Sequence, residues 1–329
     1  MPRVLLLHEL PPGGADPLTT AGIDVVTADP DMALDSDALA GLVPGFDGLV
    51  CQLTDPITAP VLVSGASGRL RVVATVAVGY DNVDVAVAHR LGIAVCNTPG
   101  VLDGSTADLA FLLILAACRR ASDAEAALRH GEWTGWDLQG YLGQDVHGAV
   151  LGLVGFGRVA RQVARRAHGF DMDVIHHARR DTGQPGYQAD LGELLERSDV
   201  VSLHVPLTEG TRGLIGHRQF ERMKRTAVLV NTSRGPVVDE GALVDALESG
   251  RIFGAGLDVF DGEPAVDPRL LSSPHAVLLP HIGSATVATR TRMAAMACRG
   301  VREVLDGGSP ATLVAPAVPQ DSRIDEASR

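Results

Sequence analysis

The stretch "VLGLVGFGRVARQVARRAHGF", residues 150–170, decides the fold. It has the form of a strand, a tight glycine turn and a helix. Gly155, Gly157 and Ala160 occupy the three positions of a GxGxxG/A pattern. The first glycine permits the turn, the second lets the backbone approach a pyrophosphate, and the third position needs a small residue for helix–strand packing. Backbone N–H groups of the following helical turn, helped by the helix dipole, suit phosphate. A bare glycine pattern is weak evidence. One flanked by a strand and a helix predicts a dinucleotide-binding βαβ unit rather than a plain turn.

The ribose end of such a cofactor is read at the end of the next strand, where this chain has "DVIHHARRD", residues 173–181. Ala178 lies 23 residues beyond Gly155. An NAD-specific site usually has a carboxylate there, which accepts from both ribose hydroxyls and repels a 2′-phosphate. Ala178 removes the acceptor and the repulsion together, and Arg179 and Arg180 supply guanidinium forks suited to phosphate. The alternative is a solvated basic loop, with His177 a structural strand-end residue. The balance favours NADP(H), with NAD(H) also admitted.

Outward from this unit the chain continues in the same style. Strand-like runs "RVLLL", "DVVTA", "GLVCQL", "RLRVVATVAV" and "IAVCNTP" alternate with helical segments in the first part. After residue 148 the runs are "AVLGLVGFG", "DMDVIHH", "DVVSLHV", "AVLVNTS", "IFGAGLDVF" and "AVLLPH". Continuous apolar runs of this kind mark parallel strands buried on both faces. At 329 residues the chain exceeds what one core usually fills. The reading is therefore α/β, with two doubly wound Rossmann-like domains built on parallel sheets and a boundary near residues 97–101. A last helix over residues 288–305 carries Met293, Met296, Ala297, Val301 and Val304 at helical spacing. The aperiodic tail, residues 315–329, reads as loose.

Composition excludes several classes. A formal net charge of −12 lacks the basic footprint of a nucleic-acid binder. The longest apolar run, "LAFLLILAAC", falls short of the roughly 18 residues of a membrane span and reads as a buried helix. The opening "MPRVLLLHEL" carries no cleavage site for secretion. Four scattered cysteines form no metal spacing, and the chain is expected to be cytoplasmic and free of metal.

Three further strand-to-loop segments, "LVNTSRGPVVDEGAL", "GAGLDVFDGEPAVD" and "VLLPHIGSAT", deliver Arg234, Glu263 and His281, spaced by 29 and 18 residues. Carboxyl ends of strands are where doubly wound folds place ligands. The combination suits hydride transfer to a 2-keto acid. Arginine grips the carboxylate and polarises the keto oxygen. Histidine donates a proton to that oxygen, while glutamate orients the imidazole and favours its charged form. Each has a plainer alternative: a salt-bridge partner for Arg234, a turn cap for Glu263, a core histidine for His281. The remaining histidines carry no ligand spacing.

These segments, with "VAVGYDNVDV", "NTPGVLDGSTADLAFLLILAACRR" and "LHVPLTEGTRGLI", make the chain from about Val4 to Leu305 resemble the D-2-hydroxyacid dehydrogenase family, and within it the glyoxylate/hydroxypyruvate reductase branch. The resemblance implies a homodimer, and a discontinuous, flavodoxin-like substrate domain from residues 1–98 and 289–329 beside a dinucleotide domain over 99–288. It assigns Val78 and Gly79, with Arg234, to substrate carboxylate binding, and Arg234, Glu263 and His281 to catalysis. Around the cofactor it places Phe156, Arg158, Val159, Val205 and Pro206, and further along Thr232, Ser233, Asp258, His281 and Gly283. Thr106 is the implied phosphate-side contact, in a segment with small departures from the commoner pattern. Ala160 in place of glycine is a harmless departure, and the run Ala178, Arg179, Arg180 agrees with NADPH-using reductases. Trp133 and Trp136 read as part of a dimer arm. The siblings left open are 3-phosphoglycerate or phosphite oxidation on the same scaffold, and a dinucleotide-sensing corepressor. The apolar and acidic "VAVGYDNVD" loop disfavours a phosphorylated substrate.

Overall fold

The computed structural model describes residues 1–32 and 34–315, so all of the loose-reading tail beyond Ala315 lies outside the described residues. The chain divides into two compact units, Leu102–Thr286 and Met1–Val101 with the C-terminal segment from Val287. The exchange points fall where helices begin, at Asp103 and Val287, where the sequence placed them at 98/99 and 288/289.

The first unit carries five parallel strands: β1 (Arg3–Leu6), β2 (Asp24–Thr27), β3 (Gly48–Cys51), β4 (Val72–Thr75) and β5 (Ala94–Cys96). Their order, β2-β1-β3-β4-β5, is the flavodoxin-like one. Every residue of β3 and β4 is buried, which is why these strands read as unbroken apolar runs. The helix Val287–Leu305 lays Ala297, Cys298, Val301 and Leu305 against Val4, Leu6, Val50, Val72 and Ala74 on one face of this sheet.

The second unit holds seven parallel strands: β6 (Val150–Val154), β7 (Asp173–His177), β8 (Tyr187–Gln188), β9 (Val200–Leu203), β10 (Val228–Asn231), β11 (Gly254–Leu257) and β12 (Ala276–Leu278). The order is β12-β11-β10-β9-β6-β7-β8. Counted from β6 it is the Rossmann order, with its reversal between β6 and β9. Sequence reading misses β8, because a two-residue strand has no periodicity to detect. The "LAFLLILAAC" segment lies in helix Asp103–Cys118, with Ala107, Ala110, Phe111, Leu113, Ile114 and Ala117 in the core and Leu112 facing out. Among the described residues no helix is long and apolar enough to cross a membrane.

Candidate active site

Gly155 closes β6 at the reversal of strand order. Its φ is +89°, and a Cβ there would meet the His204 carbonyl oxygen at 2.7 Å, so backbone conformation and space both demand glycine. Val205 and Pro206 follow from that same carbonyl. Gly157 differs. Its φ is −79°, and a Cβ would meet no protein atom within 4 Å. Nothing in the protein requires glycine at 157, so the open space in front of it fits a cofactor phosphate. The helix Arg158–Ala167 starts there without a side-chain cap and without an acid in its first turn, leaving its leading N–H groups to a ligand. Ala160 is fully buried against the strand. The exposed Arg158 pairs with Asp103 at 3.3 Å, and Val159 packs at the edge of the core.

At the end of β7, Ala178 is half-buried and Arg179 and Arg180 are exposed, with no ion pair among the described residues. The His177 ring donates from Nδ1 to the Gln188 carbonyl at 3.0 Å, a structural role. His176, by contrast, is fully buried, stacks on Phe156 with centroids 3.7 Å apart, and has its imidazole pushed down by burial.

The three chemical side chains come from strands that are immediate neighbours, β10, β11 and β12. After β10, buried Asn231 shapes the loop: its Oδ1 accepts from the Ser233 N–H at 3.0 Å and hydroxyl at 2.8 Å, and its Nδ2 donates to the Arg234 carbonyl at 2.9 Å. Arg234 itself donates from Nη1 to the Ser233 carbonyl at 2.9 Å. Gly235 then presses on the neighbouring loop, since a Cβ would lie 1.9 Å from the Phe260 carbonyl carbon. Beyond β11, Glu263 takes the Phe260 N–H on Oε1 at 3.0 Å and meets His281 Nδ1 with Oε2 at 2.8 Å. Burial pushes the Glu263 carboxyl up, but the His281 hydrogen bond, the Phe260 N–H and the charge of Arg234 outweigh it and hold it below the ordinary value. An ionised carboxylate only accepts, so Nδ1 carries the hydrogen and Nε2 is the nitrogen left to exchange a proton. Both side chains are about a quarter exposed, at 25% and 26%.

His281 adopts a left-handed backbone at φ +53°. Asp258, almost fully buried, holds it there: Oδ1 accepts from the Ile282 N–H at 2.7 Å and Oδ2 from Gly283 at 2.8 Å. Burial raises the Asp258 carboxyl against the pull of those two donors. Thr106 lies beside the same loop, donating to the Gly283 carbonyl at 3.4 Å. The Thr232 hydroxyl is buried with no partner among the described residues, a polar atom available to a cofactor. Asn231, Gly235 and the Phe260 N–H escaped the sequence reading. Asn231 and Gly235 were in view within "NTSRG", but only the fold shows what they touch.

Val78 and Gly79 belong to the first unit, just past β4. Asn97 Nδ2 donates to the Val78 carbonyl at 2.8 Å. Among the described residues, the N–H groups of Val78 and Gly79 donate to no protein acceptor, which leaves a pair of donors for an anion.

Comparison with known proteins agrees in extent. The D-isomer specific 2-hydroxyacid dehydrogenase NAD binding domain matches residues 111–283. A glyoxylate reductase of Korarchaeum cryptofilum is 50% identical over 283 residues, 83% of each chain. A crystal structure of a Thermus thermophilus protein superposes with a TM-score of 0.89 at 43% identity, covering 95% of this chain and all of that one. The NADPH-dependent glyoxylate/hydroxypyruvate reductase of Sinorhizobium meliloti, solved with NADP and malonate, gives 0.84 at 34% identity, over 95% of this chain and 97% of its own. With half the chain matched by the family's domain and near-full-length relatives above 40% identity, the chain belongs to the D-isomer specific 2-hydroxyacid dehydrogenase family.

Proposed function

We propose that the protein reduces a small 2-keto acid, glyoxylate or hydroxypyruvate, to its 2-hydroxy acid with NADPH. The observation that carries this reading is the Arg234, Glu263 and His281 constellation on three adjacent strand ends. The dinucleotide, when bound, supplies the hydride. Arg234 pairs with the substrate carboxylate and polarises the keto oxygen. His281 gives that oxygen a proton from Nε2, and Glu263 fixes the tautomer from the far side of the ring. The N–H groups of Val78 and Gly79, which among the described residues donate to no protein acceptor, suit a carboxylate. Gly155, Gly157 and the helix they open would hold the pyrophosphate, with Phe156, Arg158, Val159, Val205 and Pro206 around it. Thr232, Ser233, Asp258 and Gly283 would line the cofactor site, with Thr106 on the phosphate side.

The NADPH preference rests on Ala178 with Arg179 and Arg180, which have no ion pair among the described residues, and is in keeping with the NADP-bound relative from Sinorhizobium meliloti. A homodimer is supported by the exposed apolar side chains of Leu128, Trp133, Trp136, Leu138 and Leu142, one contiguous stretch of chain. Four free, buried cysteines suit a reducing compartment such as the cytoplasm. Initial rates with a panel of 2-keto acids, each run with NADPH and with NADH, test the proposal. Glyoxylate and hydroxypyruvate should lead the panel with NADPH; no turnover of either would overturn it.

A further inference from the structure

The two exposed arginines of segment 176–182, Arg179 and Arg180, sit on a loop with a buried anchor. His176 is fully buried, its Nδ1 has no partner among the described residues, and its Nε2 shares a 2.7 Å hydrogen bond with the Thr182 hydroxyl. An unmet acceptor is easier to bury than an unmet donor, so the hydrogen belongs on Nε2 and points at Thr182. The same ring lies flat on Phe156, in the glycine turn, with an interplanar angle of 18°. The Arg161 guanidinium sits 5.7 Å over the Phe156 ring, and Tyr187 packs on the imidazole at 5.8 Å. Packing alone does not call for histidine here. A leucine would fill the space without a buried unmet nitrogen.

What only the histidine supplies is the bond to Thr182, across the turn that carries Arg179 and Arg180. The loop is further closed by the Tyr187 hydroxyl, which donates to the Ala178 carbonyl at 3.4 Å, and by Asp181, which accepts from the Gly183 N–H at 2.8 Å. Two long exposed arginines on an untethered loop would lose conformational freedom on meeting a ligand. A loop already tied at both ends loses less.

We propose that His176 and Thr182 are positioning residues for cofactor choice, clasping the 178–182 loop to the glycine turn so that Arg179 and Arg180 meet the 2′-phosphate. This rests on the reading of those arginines as phosphate ligands. The test is calorimetric titration of cofactor-free protein with adenosine 2′,5′-bisphosphate and with AMP, in the unmutated protein and in Thr182→Val, Thr182→Ser and Arg179→Ala. Freeing one ordered loop should weaken the bisphosphate about fivefold relative to AMP in Thr182→Val. Thr182→Ser keeps the hydroxyl and should restore the ratio. Equal weakening of both ligands in Thr182→Val, or no change in their ratio, overturns the clasp. If Arg179→Ala shifts the ratio and Thr182→Val does not, the arginine reading stands and the clasp alone fails. If neither the unmutated protein nor Arg179→Ala distinguishes the ligands, both fall.

Discussion

Gly235→Ala tests whether the site works as one rigid piece. A Cβ at this position would lie 1.9 Å from the Phe260 carbonyl carbon, 2.0 Å from its oxygen and 2.4 Å from the Asp261 nitrogen. All three are backbone atoms that cannot rotate away. Ordinary contact begins near 3.4 Å, so the loops after β10 and β11 must part by about 1.5 Å. Arg234 is attached to one loop, and Glu263 to the other, where it meets His281 from the loop after β12 through a 2.8 Å hydrogen bond. A misplacement of about 1 Å costs roughly 100-fold in rate, close to 2.7 kcal/mol in the barrier. Overpacking should destabilise the fold by about 1–3 kcal/mol, leaving it folded at 25 °C. The assay is kcat/KM for glyoxylate, with thermal melting in parallel. Gly241→Ala is the control: this exposed glycine lies in the helix Glu240–Glu248, and a Cβ would meet nothing closer than the Asp239 carboxylate at 3.5 Å. It should melt slightly higher and turn over normally. A folded Gly235→Ala protein with kcat/KM within about threefold of the unmutated enzyme would refute the reasoning.

His281→Gln should lose about 10²–10⁴-fold in kcat at every pH, since it removes the proton donor rather than tuning it; near-normal turnover would reject the assignment. Arg179→Ala should lower the ratio of NADPH to NADH efficiency by roughly tenfold, the value of one charge-assisted hydrogen bond, and an unchanged ratio would reject the phosphate contact. Because the Glu263 carboxyl is held below its ordinary value, its contribution to stability is present above about pH 4.5 and fades as pH falls through the native value. The melting-temperature gap between the unmutated protein and Glu263→Gln should therefore narrow on acidification below that point, and a gap that widens would contradict the coupling to His281.

The parts of the fold legible in the sequence were those with a repeating physical cause. Strands buried on both faces are predominantly apolar, so "VLGLV" and "VVAT" read as strands. The glycine turn was legible because phosphate binding fixes its spacing. Tyr187–Gln188 was not, since its pairing with His176 and His177 comes from the neighbouring strand rather than from its own side chains. In the site, chemistry named Arg234, Glu263 and His281, but the supports around them are contacts made at a distance. Nothing in "SRGPV" says that Gly235 will lie against Phe260, 25 residues away. Likewise "HHARRD" names the arginines, while the His176–Thr182 bond depends on a half-turn of loop geometry.

Asp258 shows how function and support divide in this site. A buried carboxylate in such a site invites a direct role, and the family resemblance implies a place for Asp258 at the cofactor. In the fold each of its oxygens is already committed to a loop N–H, those of Ile282 and Gly283. The residue just before that pair is His281, the histidine with positive φ. A left-handed backbone costs a non-glycine residue about 1–3 kcal/mol and persists only where its surroundings over-determine it. Two short hydrogen bonds to one buried carboxylate provide that determination. They turn the chain so that Nδ1 reaches Glu263 at 2.8 Å while Nε2 stays unpartnered among the described residues. The carboxylate that touches the imidazole sets its tautomer, and the one that never touches it sets where the ring stands. On the proposed role of His281 as proton donor, donation at a fixed point needs both.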